Sequence, residues 1–217
     1  MATHNVNLWN TAEHALQYLS HADKIPHRTE GEAVLLDCLP NPLRRVLDLG
    51  SGDGRLLGLV KLARPDTPAV ALDFSPVMLE RLRERFAADP SVEVRAHDLS
   101  LPLPALGRFH AVVSSFAIHH LPHDRKRELY REIFALLEPQ GVFLNLEHVA
   151  SPTPALHLEF LKAIETPPEQ EDPSNKLLDT EPQLAWLREI GFRDVDCLWK
   201  WRELALLAGV RTSSPGE

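Results

Sequence analysis

Residues 44–60, RRVLDLGSGDGRLLGLV, contain the most informative pattern in this chain. It places three glycines, Gly50, Gly52 and Gly54, between an apolar run and a leucine-rich segment. Glycine loses more backbone freedom on folding than any other residue, so three within five positions predict a turn whose backbone must come unusually close to something. We therefore expect a buried strand that ends at Asp48, a glycine turn, and a helix that begins near Asp53.

Short apolar runs alternate with helical segments on both sides of this turn. The predicted strands cover residues 44–50, 68–74, 91–98, 108–116 and 141–149. The predicted helices between them cover residues 53–63, 75–88 and 122–138. Because the apolar runs are continuous, the strands should be buried on both faces, which is typical of a parallel sheet covered by helices. Residues 192–201 and 203–211 are joined by a very short connection and predict an antiparallel pair at the sheet edge. The predicted fold class is therefore α/β, a doubly wound and mostly parallel sheet with helices on both faces and an antiparallel terminal strand pair.

The length of 217 residues fits one domain, predicted to span residues 1–212. Residues 1–40 predict a helical cap with helices at 6–19 and 28–39. Residues 150–183 form a segment rich in proline and acidic side chains, with one helix near 154–165, followed by a helix at about 183–190. Long irregular segments in compact domains are often lids, so we interpret it as a lid-like insertion. Residues 213–217 predict a frayed tail.

The composition favours a soluble globular protein in the cytoplasm. No apolar run approaches the roughly 20 residues that a membrane-spanning helix needs, and the amino terminus lacks the pattern of a secretion signal. Cys38 and Cys197 have no metal-like spacing and suit a reducing compartment. The net charge of −8 argues against a nucleic-acid partner, which requires a basic surface.

The spacing of the glycines distinguishes between classes of ligand. A dinucleotide fingerprint, G-x-G-x-x-G, would have glycine at position 55, where this chain has Arg55. A phosphate loop would end in lysine followed by serine or threonine, which is also missing. The chain instead has D-x-G-x-G-x-G, with Asp48 at the end of the strand. A carboxylate there would repel a pyrophosphate but would suit a cationic head, so we predict a nucleoside ligand without phosphates.

Two further acids end the next two strands. Asp73 could accept hydrogen bonds from both hydroxyls of a ribose. Asp98 could accept one from an exocyclic amine while Leu99 packs against the base. The alternative is that each acid caps a helix, and this alternative is strongest for Asp73, which precedes the segment SPVMLERL.

The ordered motifs VLDLGSGDG, ALDFS, HDL, AVVSSFAIHHL and LLEPQGVFLNLEHV, with the terminal strand pair, resemble the class I S-adenosylmethionine-dependent methyltransferases over residues 40–211. The resemblance implies a Rossmann-like fold and S-adenosyl-L-methionine as cofactor. It implies a cofactor site made of Asp48, Gly50, Ser51, Gly52, Asp73, Phe74, Asp98, Leu99, Ser115 and Phe116. Within this site, Gly50 and Gly52 would line the methionine part, and Ser115 and Phe116 would lie beneath the sulfonium. Gln140 stands where the family often has glycine and must make that turn without it.

Arg28 lies just before the core, where related enzymes often place a basic residue. It fits a two-pronged contact with the methionine carboxylate. The alternative is a surface arginine that pairs with Glu30 or Glu32.

Four titratable side chains should lie near the reacting methyl group. His119 and His120 follow the fourth strand, and Glu147 and His148 end the fifth. Any of them could be a general base, and imidazole titrates near neutrality; His120 is our first choice and Glu147 the second. Alternatively, His119 packs in the core and His120 orients a loop. Their spacing matches no structural zinc pattern, so no metal is predicted.

The acceptor is less well defined than the donor, because methyl transfer from a sulfonium relies mainly on positioning and desolvation. We expect a methyltransferase that acts on a small molecule. The alternatives are an RNA or protein methyltransferase, a non-catalytic module that binds the cofactor, and a dehydrogenase. His14, Tyr18 and His21 share a face of the first helix, which lines the acceptor pocket or is simply solvated. Trp199 and Trp201 share a face of their strand and should pack against the insertion.

Overall fold

The computed structural model describes residues 25–212, which form seven strands and six α-helices. The strands are β1 Val46–Leu49, β2 Ala69–Asp73, β3 Val92–Ala96, β4 Phe109–Ser115, β5 Leu137–His148, β6 Phe192–Trp201 and β7 Leu204–Arg211. The helices are α1 Arg28–Asp37, α2 Arg55–Ala63, α3 Pro76–Arg85, α4 His123–Leu136, α5 Pro154–Ala163 and α6 Thr180–Ile190. The predicted helix at 6–19, with His14, Tyr18 and His21, lies outside the described residues, as does the tail at 213–217.

The strands form a single sheet in the order β3-β2-β1-β4-β5-β7-β6. Strands β1 to β5 pair in parallel, and β7 pairs antiparallel with both β5 and β6. The predicted fold class is confirmed. The chain leaves β1 on one side towards β2 and β3 and returns on the other side as β4. This reversal creates a crevice at the carboxyl ends of β1 and β4, where ligands bind in open α/β sheets.

Both faces of the central strands are buried under helices, as the continuous apolar runs predict. All four residues of β1 are buried. Leu47 and Leu49 join one hydrophobic cluster with residues of α4 and α6, whereas Val46 joins the cluster on the opposite face with α1 and α2. Burial on both faces holds the strand ends in fixed register, and the register places the side chains that follow each strand.

Most element boundaries agree with the sequence within a few residues, with two differences. Strand β5 begins at Leu137 rather than 141, because the EPQG turn continues the strand. In that turn Gln140 adopts a left-handed φ of 64°, where glycine would be favoured. Helix α6 begins at Thr180, three residues earlier than expected, because the Asp179 side chain accepts a hydrogen bond from the Thr180 amide.

The predicted insertion, residues 150–183, contains α5, a 3₁₀ turn at Pro168–Gln170 and the first turn of α6. The prediction for the two tryptophans needs a correction. Trp199 packs against α1, where its ring would touch a side chain placed at Gly31. Trp201 stacks on His27 at 4.5 Å between ring centres and lies 6.1 Å from Phe160 of α5. Only Trp201 therefore reaches the insertion among these described contacts.

From residue 25 to residue 212, no helix has both the length and the apolar character that crossing a membrane requires.

Candidate active site

A cavity of about 540 Å³ opens at the carboxyl ends of β1, β2 and β4. Its wall contains every residue predicted for the cofactor: Arg28, Asp48, Gly50, Ser51, Gly52, Asp73, Phe74, Asp98, Leu99, Ser115 and Phe116. Of the four residues predicted for catalysis, His120 lines the cavity and the other three do not. The structure also adds Ser174, from the insertion, to the wall.

The three glycines of the turn share a left-handed backbone but differ in their surroundings. Their φ values are 65° at Gly50, 57° at Gly52 and 83° at Gly54. A Cβ at Gly50 would lie 2.2 Å from the Cβ of Ala117, and one at Gly54 would lie 2.6 Å from Leu82. A Cβ at Gly52 would meet nothing within 4 Å. Gly50 and Gly54 therefore also permit close packing within the protein, whereas Gly52 borders open space on the cavity wall.

Asp48 places a buried carboxylate on the cavity wall. The residue is 1% exposed, and neither carboxylate oxygen has a partner within hydrogen-bond distance in the described chain, because the nearby Ser51 hydroxyl donates to the Asp48 backbone carbonyl at 3.0 Å. Burial raises the pKa of Asp48 to about 7; the Ser51 side chain acts in the opposite direction, and the negative charges of Asp73 and Asp53 act in the same direction as burial. An unpaired buried charge is strongly unfavourable, so the site is complementary to a cation.

Asp73 joins the glycine turn to the end of β2. Its Oδ2 accepts a hydrogen bond from the Gly52 amide at 2.8 Å, and its Oδ1 accepts one from the Ser75 amide at 2.9 Å. The N-cap residue of α3 is Ser75 and not Asp73, so the capping alternative is wrong for Asp73, although its carboxylate bonds the amide of the N-cap residue. Each oxygen retains a lone pair for a further donor. Asp98 also bonds the backbone that follows it, because its Oδ1 accepts a hydrogen bond from the Ser100 amide at 2.8 Å.

Arg28 lies in the cavity wall rather than on the surface. It is 5% exposed, its Nε donates to Glu32 at 2.9 Å, and its guanidinium lies 5.1 Å from the centre of the Phe116 ring. The alternative of a surface arginine is therefore wrong about exposure and right about the Glu32 pairing. Arg55 donates to the same carboxylate, at 2.8 and 3.0 Å. The residue that replaces the third glycine of the dinucleotide fingerprint thus ties α2 to α1.

Ser115 and Phe116 end β4 in an unusual conformation. Phe116 has a φ of 53°, although bulky residues rarely adopt left-handed backbone. Its amide donates to the Leu146 carbonyl at 2.8 Å, which fixes this turn to β5. The Ser115 hydroxyl is buried without a partner in the described chain. Strained backbone and unsatisfied polar groups cluster at functional sites, and both occur here on the cavity wall.

The predicted catalytic cluster divides into separate pairs. His119 Nδ1 lies 2.8 Å from Glu147 Oε1, and both side chains are buried behind the cavity wall. His148 Nε2 lies 3.0 Å from an oxygen of Glu203, away from the cavity. Burial lowers the pKa of His119 well below its ordinary value and raises the pKa of Glu147. The His119–Glu147 pair is therefore a hydrogen bond that supports the wall.

His120 lines the cavity, as does a second histidine, His97. The ring centre of His120 lies 4.0 Å from that of His119, and its Nδ1 lies 2.9 Å from the Ser174 hydroxyl. Burial, followed by the neighbouring His119, lowers the pKa of His120 well below its ordinary value. This shift favours the neutral ring, which has one nitrogen with a free lone pair and one that carries a hydrogen. Within the described chain, no group of three or more His, Cys, Asp or Glu side chains is arranged to hold a metal ion.

The glycine turn and the three carboxylates at the strand ends are typical of a nucleoside-binding α/β domain. Residues 46–141 match the family model described as a methyltransferase domain. An uncharacterized methyltransferase of Mycobacterium bovis is 36% identical over 125 residues, which cover 58% of this chain and 59% of that protein. The demethylmenaquinone methyltransferase of Thermus thermophilus is 35% identical over 122 residues, covering 54% of this chain and 53% of that enzyme. An O-methyltransferase family protein from Burkholderia thailandensis superposes with a TM-score of 0.73 at 21% identity, over 96% of this chain and 62% of that one.

Over residues 46–141 the chain is similar to a methyltransferase domain. The aligned regions span little more than half the length of these two curated relatives. The region that matches the family model covers β1 to the beginning of β5, which carry the glycine turn and the acids. The likeness thus concerns the donor half of the site.

Proposed function

We propose that the cavity binds S-adenosyl-L-methionine and that the protein transfers its methyl group to a small-molecule acceptor. The observation that carries this proposal is Asp48, a buried carboxylate on the cavity wall whose two oxygens have no hydrogen-bond partner among residues 25–212. S-adenosylmethionine has the cationic head that such a carboxylate needs. A phosphate-bearing dinucleotide would bring negative charge to the same place.

The other wall residues fit the remaining parts of this ligand. Gly52 leaves open space beside the turn, so a ligand can approach the backbone closely. Asp73 and Asp98, each with lone pairs left, are proposed to accept from ribose hydroxyls and the adenine amine. Leu99, 7% exposed, and Phe74 are proposed to form apolar walls. Arg28 is proposed to bind the methionine carboxylate while Glu32 holds its guanidinium in place.

When bound, S-adenosylmethionine supplies a methyl group already activated on a sulfonium. The protein therefore needs to position the acceptor and exclude water rather than supply strong acid-base chemistry. His120 is the proposed acceptor contact, because it alone among the four candidate residues lines the cavity. Glu147, His119 and His148 are proposed to support the fold around it.

The acceptor is proposed to be a small molecule because the chain carries a net charge of −8. An RNA methyltransferase would need a basic surface to neutralise phosphates. A protein methyltransferase and a non-catalytic module that binds the cofactor remain the competing proposals. Enzyme and module differ only in turnover, so an activity measurement separates them.

Calorimetry with S-adenosylmethionine and S-adenosylhomocysteine tests the cofactor proposal. Asp48→Asn should weaken S-adenosylmethionine binding by about 1.5–3 kcal/mol, the usual worth of a hydrogen bond to a charged group. Asp194→Asn, which changes an exposed acid of β6, is the matched control and should bind like the wild type. Equal affinity in the wild type and Asp48→Asn, or tighter binding of NAD, would overturn the proposal.

Release of S-adenosylhomocysteine identifies the acceptor class. The protein is incubated with S-adenosylmethionine and, separately, with the small-molecule fraction, the RNA and the proteins of a cell extract. We expect turnover with the first fraction only, and little salt dependence, because a small acceptor displaces few counterions. Turnover with RNA that falls steeply as the salt concentration rises would favour an RNA methyltransferase over a small-molecule methyltransferase. Binding without turnover in any fraction would favour the non-catalytic module.

A further inference from the structure

A hydrogen-bonded chain of three side chains connects the insertion to the cavity. The Ser174 hydroxyl lies 2.9 Å from His120 Nδ1 and 2.7 Å from Asp172 Oδ1. The Ser174 amide donates to the same carboxylate oxygen at 2.8 Å. Asp172 and Ser174 thus belong to the insertion, yet Ser174 and His120 both line the cavity.

This segment is anchored firmly beside the 3₁₀ turn that carries His120, Ile118–His120. The Lys176 amide donates to the His119 carbonyl at 2.9 Å, and the buried Lys126 ammonium donates to the Lys176 carbonyl. The His123 ring also contacts the Leu177 carbonyl at 3.2 Å. These contacts come from two elements of the core, so the Ser174 hydroxyl is held in a defined position against the imidazole.

The hydrogen bonds among His120, Ser174 and Asp172 determine which nitrogen of the His120 ring carries the proton. A serine hydroxyl has one hydrogen, and a carboxylate at 2.7 Å is a stronger acceptor than a neutral imidazole nitrogen. The hydroxyl therefore donates to Asp172, and its lone pair must receive a hydrogen from His120 Nδ1. In a neutral ring, a proton on Nδ1 leaves the lone pair on Nε2.

We infer that Ser174 and Asp172 are positioning residues that keep His120 in the Nδ1–H tautomer, so that Nε2 takes a proton from a hydroxyl-bearing acceptor. The inference rests on the proposed function and specifies its acceptor, an alcohol or phenol rather than an amine or carbon that transfers without a base. The acceptor oxygen bonds to the methyl carbon as the carbon–sulfur bond breaks, and that electron pair stays on sulfur as a neutral thioether. The hydroxyl proton moves to Nε2, and the imidazolium then faces the Asp172 charge through Ser174 before it releases the proton to solvent.

Nitrogen-15 NMR of the histidine rings tests the tautomer without any acceptor. The full-length protein is measured with S-adenosylhomocysteine, and the His120 signals are assigned by their loss in His120→Gln. We expect His120 to be protonated at Nδ1 in the wild type. In Asp172→Ala the serine hydroxyl is released from the carboxylate and can donate to Nδ1, so the ring should shift towards the Nε2–H tautomer. Ser174→Ala should also weaken the Nδ1–H preference.

Two controls separate positioning from general loosening of the insertion. Glu171→Gln changes the neighbouring acid, which contacts His157 instead of Ser174, and should leave the His120 signals unchanged. Asp172→Asn keeps an oxygen acceptor for the Ser174 hydroxyl and should retain most of the Nδ1–H population. A wild-type ring protonated at Nε2, or an unchanged ring in both Asp172→Ala and Ser174→Ala, overturns the inference.

The rate provides a second readout once turnover is found. Ser174→Ala should lower kcat by about 10- to 100-fold, part of the 10²–10⁴ that general-base catalysis contributes, and KM should change little. Binding of S-adenosylhomocysteine should be unaffected, which separates failure of this inference from failure of the cofactor proposal. Unchanged kcat in Ser174→Ala would show that the serine only packs against the ring.

Discussion

Two walls of the same cavity satisfy their polar groups in opposite ways. The glycine wall, residues 48–54 with Asp73 and Asp98, contains the buried carboxylate of Asp48, whose two oxygens have no partner in the described chain. The histidine wall, residues 117–120 with Ser174, presents His120, whose Nδ1 already has Ser174 as a partner, and behind it His119 already pairs with Glu147. The first wall is complementary to a charge that the ligand brings, and the second is ordered before any ligand arrives.

This difference separates affinity from chemistry. A side chain with an unmet charge makes the empty protein less stable and the complex more stable, so its loss should change affinity. A side chain that is already positioned changes the rate instead, because orientation is set before the reaction. Changes to the two walls should therefore have different signatures.

The largest effect is expected on the histidine wall. His120→Ala should lower kcat by about 10²–10⁴-fold if the imidazole is the base, with cofactor affinity retained. His110→Ala changes a histidine at the other end of β4 and is the control. Burial and His119 lower the pKa of His120, and the opposite effect of Asp172 and Glu147 is smaller. The wild-type rate should therefore fall only when the pH drops below the ordinary histidine pKa of about 6.5.

The outcome of this experiment can contradict the assignment in two ways. A loss in His120→Ala of less than about tenfold that persists at high pH would indicate that the ring orients the acceptor and takes no proton. An equal loss of S-adenosylhomocysteine affinity would place His120 in the donor site. Either result would remove the contrast between the walls.

The next effect concerns the contact that joins the two walls. Gly50→Ala would place a Cβ 2.2 Å from the Cβ of Ala117 at a φ of 65°, so we expect the free energy of unfolding to fall by about 2–4 kcal/mol. Gly52→Ala has only the backbone strain, about 1–2 kcal/mol, but fills space on the cavity wall. Chemical denaturation should show a larger loss of stability in Gly50→Ala than in Gly52→Ala. Calorimetry should show that Gly52→Ala loses more cofactor affinity, relative to the stability that each variant loses.

A second substitution makes the Gly50 prediction specific. Ala117→Gly removes the atom that the new Cβ would meet, so the double variant should recover part of the lost stability. No recovery would show that backbone strain at Gly50 accounts for the whole effect.

The glycine wall could be predicted almost completely from the sequence, and the histidine wall only in part. Asp48 and Asp73 lie at the carboxyl ends of β1 and β2, and Asp98 follows β3 by two residues; the register of these neighbouring parallel strands brings their carboxyl ends together. Local pattern and sheet geometry therefore determine the site. His119 and His120 are adjacent in one 3₁₀ turn, and their different partners depend on contacts that no local pattern encodes.

Ser174 and Arg55 show what sequence reasoning missed. Ser174 lies 54 residues from His120 in an irregular segment, and its place on the wall depends on the anchoring by Lys176 and Lys126. The sequence pattern gives Arg55 no role except as evidence against a dinucleotide fingerprint. Its pairing with Glu32 required the packing of α1 against α2, which is a tertiary contact.

A smaller effect is expected when the charge of the glycine wall is removed. Asp48→Asn should raise the stability of the cofactor-free protein by about 2 kcal/mol at pH 8, a rise of roughly 4–8 °C in Tm. The pKa of Asp48 is raised from an ordinary value of 3.8 to about 7 in the folded protein, so its burial costs stability progressively as pH rises between these two values and by a constant amount above them. The stability difference should therefore shrink as pH falls below about 7 and vanish near the ordinary pKa of 3.8, in thermal melts compared with Asp194→Asn.

Release of a proton when the cofactor binds provides a second test of the charge on Asp48. At pH 7 about half of the Asp48 carboxyls are protonated in the free protein, and a bound cation should favour the charged form. Calorimetry in buffers of different ionisation enthalpy should detect about half a proton released in the wild type and less in Asp48→Asn. Equal release in both proteins would mean that the bound cation does not contact Asp48.

The smallest effect concerns the outer contact of the insertion, where His157 of α5 lies between two acids. Its Nδ1 is 2.9 Å from Glu203, and its Nε2 is 3.2 Å from Glu171. Burial opposes the protonated ring, but the hydrogen bonds and charges of Glu203 and Glu171 prevail, so the pKa of His157 is raised. His148 faces Glu203 from β5 and competes for the same carboxylate.

A raised folded pKa stabilises the protein below the unfolded value of about 6.5, and this contribution disappears as pH rises through the folded pKa. His157→Gln should therefore lower the free energy of unfolding by about 0.5–1 kcal/mol at pH 6 and by little at pH 9, because the ion pairs are partly exposed and screened. Denaturation at both pH values measures this, with salt expected to reduce the difference. An unchanged kcat in His157→Gln would mean that the insertion acts on the reaction through Ser174 and not through its outer contact. A fall in kcat as large as that in Ser174→Ala would mean that docking of the whole insertion controls the rate.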